Sequence, residues 1–242
     1  MSTPSAVIVG VGAEQGLGAA LCRLLAGKGY HVIIAGRTPA KIDKVAETIK
    51  ASGGSAEAIE TDATDEAAVV RLFEHAFAPR DGIAAPDFIV FNAGINRPIG
   101  FRDLTAAQFE EFWRICCFGG FLVGREAARH LVPLGRGTVI FTGASASLRG
   151  KAGYAQFAAA KAGLRMISQS MAREFGPLGL HVAHTIIDGG IDGERLRSRR
   201  PDMDASGLLN IDAIAESYWH IHRQHPSAWT QELDLRPYKE NF

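Results

Sequence analysis

Net charge is missing from this 242-residue chain: 26 lysines and arginines stand against 26 aspartates and glutamates. That balance speaks against nonspecific nucleic-acid binding, which needs a concentrated basic surface. Long apolar runs are missing too, so no membrane span is expected. Hydrophobic residues nevertheless make up 47% of the chain, enough for a sizeable core. The N-terminus, MSTPSAVIVGVG, has no charged segment leading into a long apolar one, and no signal peptide is expected. Cysteine is scarce. Cys22, Cys116 and Cys117 are an odd number with one adjacent pair, which gives no disulfide framework and suits a reducing cytoplasm. HIHRQH at 220–225 invites a metal reading. On a helix, however, His220 and His222 diverge and have no carboxylate at ligand spacing, so no metal site is expected.

Internal repeats, low-complexity tracts and Pro/Gly/Ser linkers are also absent, which points to one domain. What is present is alternation. SAVIVG, HVIIAG, AEAIETD, DFIVFNAG, GTVIFTGAS and LHVAHTIIDG are short β-branched runs, most of them continuously apolar. Between them lie longer helical patterns, the first with Leu17, Leu21, Leu24 and Leu25 on one face. Six such strands separated by helices predict a three-layer α/β architecture, a doubly wound parallel sheet covered on both faces. ELDL near the C-terminus is a candidate seventh strand. Residues 191–207, IDGERLRSRRPDMDASG, break the pattern. They are expected to form a loop over the C-terminal edge of the sheet, where ligands bind in this architecture.

The first strand runs into VGVGAEQGLG, with Gly10, Gly12, Gly16 and Gly18 ahead of the first helix. Absent side chains permit a tight turn and let backbone N–H groups approach a pyrophosphate at a helix N-terminus. The second strand ends in AGRT, with no acid to hold a ribose 2′-hydroxyl. Gly36 leaves room there, and Arg37 offers a fork suited to a 2′-phosphate. NADP(H) is therefore favoured and NAD(H) is the alternative. Glu14, in the glycine loop, works against that phosphate.

Across nearly its whole length the chain resembles the short-chain dehydrogenase/reductase family. The resemblance rests on GAEQGLG at 12–18, TDATD after the third strand, NAG at 92–94 and AAAKAGL at 158–164. It implies a single NAD(P)-binding Rossmann-type domain over residues 1–242. Gly12, Gly16, Leu17, Gly18, Asp62, Ala63, Asn92, Ala93, Gly94, Gly189 and Ile191 would border the cofactor, and Lys161 would hold the nicotinamide ribose. It also implies a small-molecule substrate and a homodimer or homotetramer. Without the resemblance, Lys161 in AGYAQFAAAKAGL would read as a lysine laying its stem along an apolar helix.

The same comparison exposes departures. The family's YxxxK reads Phe157-Ala-Ala-Ala-Lys161, so a tyrosine hydroxyl that would exchange a proton with substrate is gone. Losing a positioned acid/base costs roughly 10²–10⁴-fold in rate. The family's serine falls on Ala144 or, one residue on, Ser145. Its helical asparagine falls on Cys116, the threonine of the glycine motif is Val11, and the proline and threonine after the sixth strand are Asp188 and Gly193. Tyr154, one helical turn before Phe157, is the nearest replacement hydroxyl, with core packing as its alternative role. Ser145 and Cys116 are further candidates, though neither has an adjacent base in sequence.

These residues support an oxidoreductase acting on a carbonyl or alcohol with altered proton delivery. They equally allow a cofactor-binding protein without turnover, a sensor or an oligomer partner. Non-redox elimination in the same pocket is a third reading. Arg195, Arg197, Arg199 and Arg200 cluster in the covering loop, either as solvated surface or as selectors of an anionic substrate.

Overall fold

The computed structural model describes residues 2–240. Its strands are β1 (Ser5–Val9), β2 (His31–Gly36), β3 (Ser55–Glu60), β4 (Phe88–Phe91), β5 (Thr138–Thr142), β6 (His181–Ile187), β7 (Gly190–Asp192), β8 (Leu208–Asn210) and β9 (Glu232–Leu235). Seven of these form one sheet in the order β3-β2-β1-β4-β5-β6-β9, parallel throughout. β1, β2, β4, β5 and β6 are buried along their whole length, as their largely apolar sequences favour. The edge strands β3 and β9 carry Glu57, Glu60, Glu232 and Asp234, charges that discourage edge-to-edge pairing.

Helices α1 (Leu17–Gly27), α2 (Pro39–Ala51) and α8 (Ile211–His222) cover one face. Helices α3 (Glu66–Phe77), α5 (Gly119–Leu131) and α6 (Ala155–Phe175) cover the other. Leu17, Leu21 and Leu25 of α1 are buried against the sheet. Each such side chain contributes about 1.5–3 kcal/mol relative to exposure. Gly120 and Gly124 let α5 approach closely: a Cβ at 120 would lie 2.3 Å from Leu164 of α6.

Two segments differ from the sequence expectation. The long helical stretch beginning at Thr105 is α4 (Ala106–Trp113), a π turn over Arg114–Phe118, and then α5. The wide turn swings Cys116 under the loop after β4, where its Sγ meets the Ile95 amide at 3.5 Å and donates to the Ile95 carbonyl at 3.7 Å. π turns of this kind recur at functional sites. Residues 191–207 are not a bare loop either. β7 pairs with β8 in a small parallel ribbon, and the one-turn helix α7 (Glu194–Arg197) stands between them. The segment lacks apolar periodicity because ion pairs and main-chain contacts order it: Arg197 pairs with Asp192 at 2.5 Å, and the Glu194 amide donates to the Gln15 carbonyl at 2.8 Å.

Candidate active site

The C-terminal ends of β1, β4, β5 and β6 frame a cavity of about 500 Å³. The residues singled out in sequence that line it include Gly12, Gly16, Leu17, Gly18, Asn92, Gly94, Ser145, Phe157, Lys161, Gly189 and Ile191, and, from the covering segment, Arg195 and Arg199. The glycine loop is held in place by close backbone contact. Gly10 adopts φ +91, and a Cβ there would lie 2.3 Å from the Ala93 nitrogen, so Ala93 backs the loop instead of facing the cavity. Asn92 Nδ2 donates to the Gly10 carbonyl at 3.3 Å. Gly12 has nothing within 4 Å of where a Cβ would be. The loop thus presents bare backbone to the cavity at the start of α1, which fits a pyrophosphate.

Lys161 is 4% exposed, so it does not lay its stem along a surface. Its Nζ donates to the Thr142 carbonyl at 2.7 Å and lies 5.9 Å from the centre of the Phe157 ring. Burial pushes its pKa below the usual lysine value, with Cys116 and Cys117 acting in the opposite direction. The Phe157 ring packs in a small cluster with Phe112, Ile115, Cys116, Cys117 and Ala160. Cys116 is fully buried in this cluster, behind the cavity wall.

Several candidates fall elsewhere. Tyr154 caps α6, packs partly buried against the Phe157 cluster beneath Lys151, and is not among the cavity's lining residues. The Asp62 carboxylate accepts hydrogen bonds from the Thr64 amide and hydroxyl, both at 2.9 Å, and shapes the turn after β3. Ala63 is buried beside Gly119. Gly36 does not open space for a ligand: a Cβ there would lie 2.3 Å from the Val11 carbonyl oxygen, so its bareness serves the glycine loop. Arg37 is exposed at the end of β2. Glu14 accepts a hydrogen bond from Thr48 on α2. Thr48 lies on the order of 14 Å along that helix from its first residue. The carboxylate is therefore engaged on α2.

Three polar arrangements were not legible in sequence. Asp188, 3% exposed, accepts hydrogen bonds from Arg149 Nη2 on its two oxygens, at 3.2 and 3.0 Å. Burial opposes its charge, but Ser145, Arg149 and Arg236 outweigh it and hold the carboxyl below the ordinary range. On the opposite side of β5, the buried Tyr218 hydroxyl of α8 donates to Thr142 Oγ1 at 3.0 Å and meets Thr185 Oγ1. His184 is fully buried under Gly143, where a Cβ would come within 2.2 Å of its Nε2. The partners in each case lie on different elements, so no local motif announces them.

The sequence pattern of the family described as short chain dehydrogenase matches residues 6–204. The chain belongs to that family. Among curated relatives of this chain, cis-4-hydroxycyclohexanecarboxylate dehydrogenase of Sinomonas cyclohexanicum is 33% identical over 177 residues, covering 73% of this chain and 70% of that protein. A short-chain dehydrogenase from Rhodopseudomonas palustris superposes with TM-score 0.82 at 36% identity, covering 97% of this chain and 99% of the other. A metagenomic short-chain oxidoreductase solved in complex with NADP superposes with TM-score 0.81 at 23% identity, over 98% and 97% of the two chains.

Proposed function

We infer that this short-chain dehydrogenase is an NADP(H)-dependent oxidoreductase acting on a carbonyl or alcohol of a small molecule, with a proton route that does not pass through residue 157. The observation that carries the reading is the shared cavity: the glycine loop, Asn92 and the buried Lys161 face one space, and Phe157 stands where a hydroxyl would be. When bound, a nicotinamide ring supplies hydride transfer; the protein's part is to place the ring and manage the proton.

Lys161 is suited to orient a ribose. Its bond to Thr142 fixes the ammonium and leaves further N–H donors for a ligand. Arg37, exposed and with Glu14 turned toward Thr48, supports preference for a 2′-phosphate. Ser145 lines the cavity, and its hydroxyl helps to hold the charge of the buried Asp188 carboxylate. Asp188 in turn is too well balanced by arginines to be a strong base. The atypical site defines a divergent subgroup of the family.

Phe157, which has no hydroxyl to exchange a proton, is what favours the second reading, a cofactor-binding protein without dehydrogenase turnover. The curated relatives include a dehydrogenase and a reductase, which favours the first. Three unpaired, buried cysteines support a cytoplasmic setting. Half-exposed Phe109, Trp113 and Phe121 along α4 and α5 support assembly into a homodimer or homotetramer. The deciding experiment measures NADPH and NADH affinity by calorimetry, then follows reduced-nicotinamide absorbance with a panel of aldehydes, ketones and alcohols. Tight NADPH binding with turnover supports the first reading. Tight binding with no turnover across the panel supports the second.

A further inference from the structure

Among the described residues, the cavity is lined by three cationic side chains, Lys161, Arg195 and Arg199, and by no aspartate or glutamate. Lys161 is anchored on Thr142. Arg195 lies on α7 and Arg199 just past its end, close enough that the Arg199 charge, after burial, lowers the Arg195 pKa. Arg195 Nη1 and Nη2 donate to the main-chain oxygens of Gly94 at 3.1 Å and Asn96 at 3.3 Å, and Arg199 Nη1 donates to the same Asn96 oxygen at 3.2 Å. Every acceptor in these bonds is an uncharged carbonyl. Arg197, between them, turns away and pairs with Asp192.

We propose that Arg195 and Arg199 form a carboxylate clamp at the cavity mouth, which rests on the Gly94 and Asn96 carbonyls until the carboxylate of a small-molecule substrate replaces them. The exchange is favourable because an ionised acceptor makes hydrogen bonds about twice as strong as a neutral one, and a guanidinium fork meets a carboxylate at two points. It also relieves the repulsion between the two arginines. The clamp rests on the reading of this cavity as the oxidoreductase site, since it assigns the carboxylate to the molecule whose carbonyl or carbinol reacts there.

A cofactor phosphate has the same chemistry as a carboxylate here, and position separates the two. The clamp's resting partners are on the loop after β4, where a Cβ on Gly94 would lie 3.6 Å from Lys161 Nζ. The pyrophosphate instead has the bare backbone of Gly12 and the start of α1. The clamp therefore belongs to the substrate end.

The test is calorimetric titration of the full chain, with and without NADP⁺, using cyclohexanecarboxylate, benzoate and gluconate, each against its neutral carboxamide. At least one carboxylate is expected to bind about tenfold or more tightly than its amide, and to weaken as NaCl is raised. The double variant Arg195→Ala/Arg199→Ala should lose that advantage while its NADPH affinity changes by less than about threefold. Arg195→Lys should fall between, since it keeps the charge and loses the fork. Both side chains are exposed, and unchanged unfolding midpoints establish that the variants fold. The proposal is overturned if no carboxylate outbinds its amide, or if the double variant binds it as well as the unmodified protein. Loss of NADPH affinity in the double variant, without carboxylate binding in the unmodified protein, assigns the arginines to cofactor phosphate and also overturns it. Failure of the unmodified protein to bind NADPH would defeat the oxidoreductase reading on its own, and the arm without NADP⁺ would still decide the clamp.

Discussion

Lys161 and Thr142 are joined across the cavity wall by a 2.7 Å hydrogen bond from Nζ to the main-chain oxygen, with the Phe157 ring 5.9 Å from the ammonium. A hydroxyl placed on that ring would therefore share a pocket with a fixed positive charge. Phe157→Tyr should create or raise NADP-linked turnover of simple carbonyls, because a nearby cation favours phenolate and readies the group for proton exchange. The gain should be at least about tenfold, a fraction of what a positioned acid/base supplies. Absorbance at the reduced-nicotinamide band measures it, and an unchanged rate in a variant that still binds cofactor counts against the reading.

Tyr154→Phe is the complementary change. Tyr154 caps α6 outside the cavity lining, so removing its hydroxyl should leave turnover within about twofold of the unmodified protein. Abolished turnover with intact cofactor binding would mean that the proton route passes through Tyr154 after all.

Arg37→Ala should remove most of the preference for NADPH over NADH, on the order of tenfold or more, since a phosphate would lose its charge-assisted partner. NADH affinity should hardly move. Equal affinities for both cofactors in the unmodified protein would refute the role given to Arg37.

His184 makes stability depend on pH. Burial, with the neighbouring Lys161 and Arg165 charges and against that of Glu232, holds its pKa at about 4 in place of the ordinary 6.5. Between those values the unfolded chain binds a proton that the folded chain does not, so stability is full above the upper value and falls as pH drops toward the lower one. Roughly 2 kcal/mol should be lost between about pH 7 and pH 5 through this residue. His184→Phe should flatten that part of the slope in urea unfolding curves. An identical slope in the variant would show that His184 is not its source.

The sheet and the cofactor side of the cavity were legible because their signals are local. Apolar runs such as FIVF and TVIFT name buried strands, the glycines from Gly10 to Gly18 name a strand-to-helix turn, and ELDL does form the seventh strand. The order within residues 191–207 was not legible, because it comes from pairing with Leu208–Asn210 and from the contact with Gln15. Asp188 could be seen to replace a proline, but nothing near it in sequence names Arg149 as its partner. The Tyr218–Thr142 contact joins α8 to β5 across 76 residues and has no signature in either segment.

The central claim is that Lys161 holds the nicotinamide ribose although residue 157 carries no hydroxyl. Lys161→Met keeps an apolar stem of similar length in the buried site and removes only the ammonium. Calorimetric titration with NADPH should show affinity reduced about tenfold or more in this variant, consistent with loss of hydrogen bonds from a charged donor, with the unfolding midpoint retained. NADPH binding as tight in Lys161→Met as in the unmodified protein would contradict the claim.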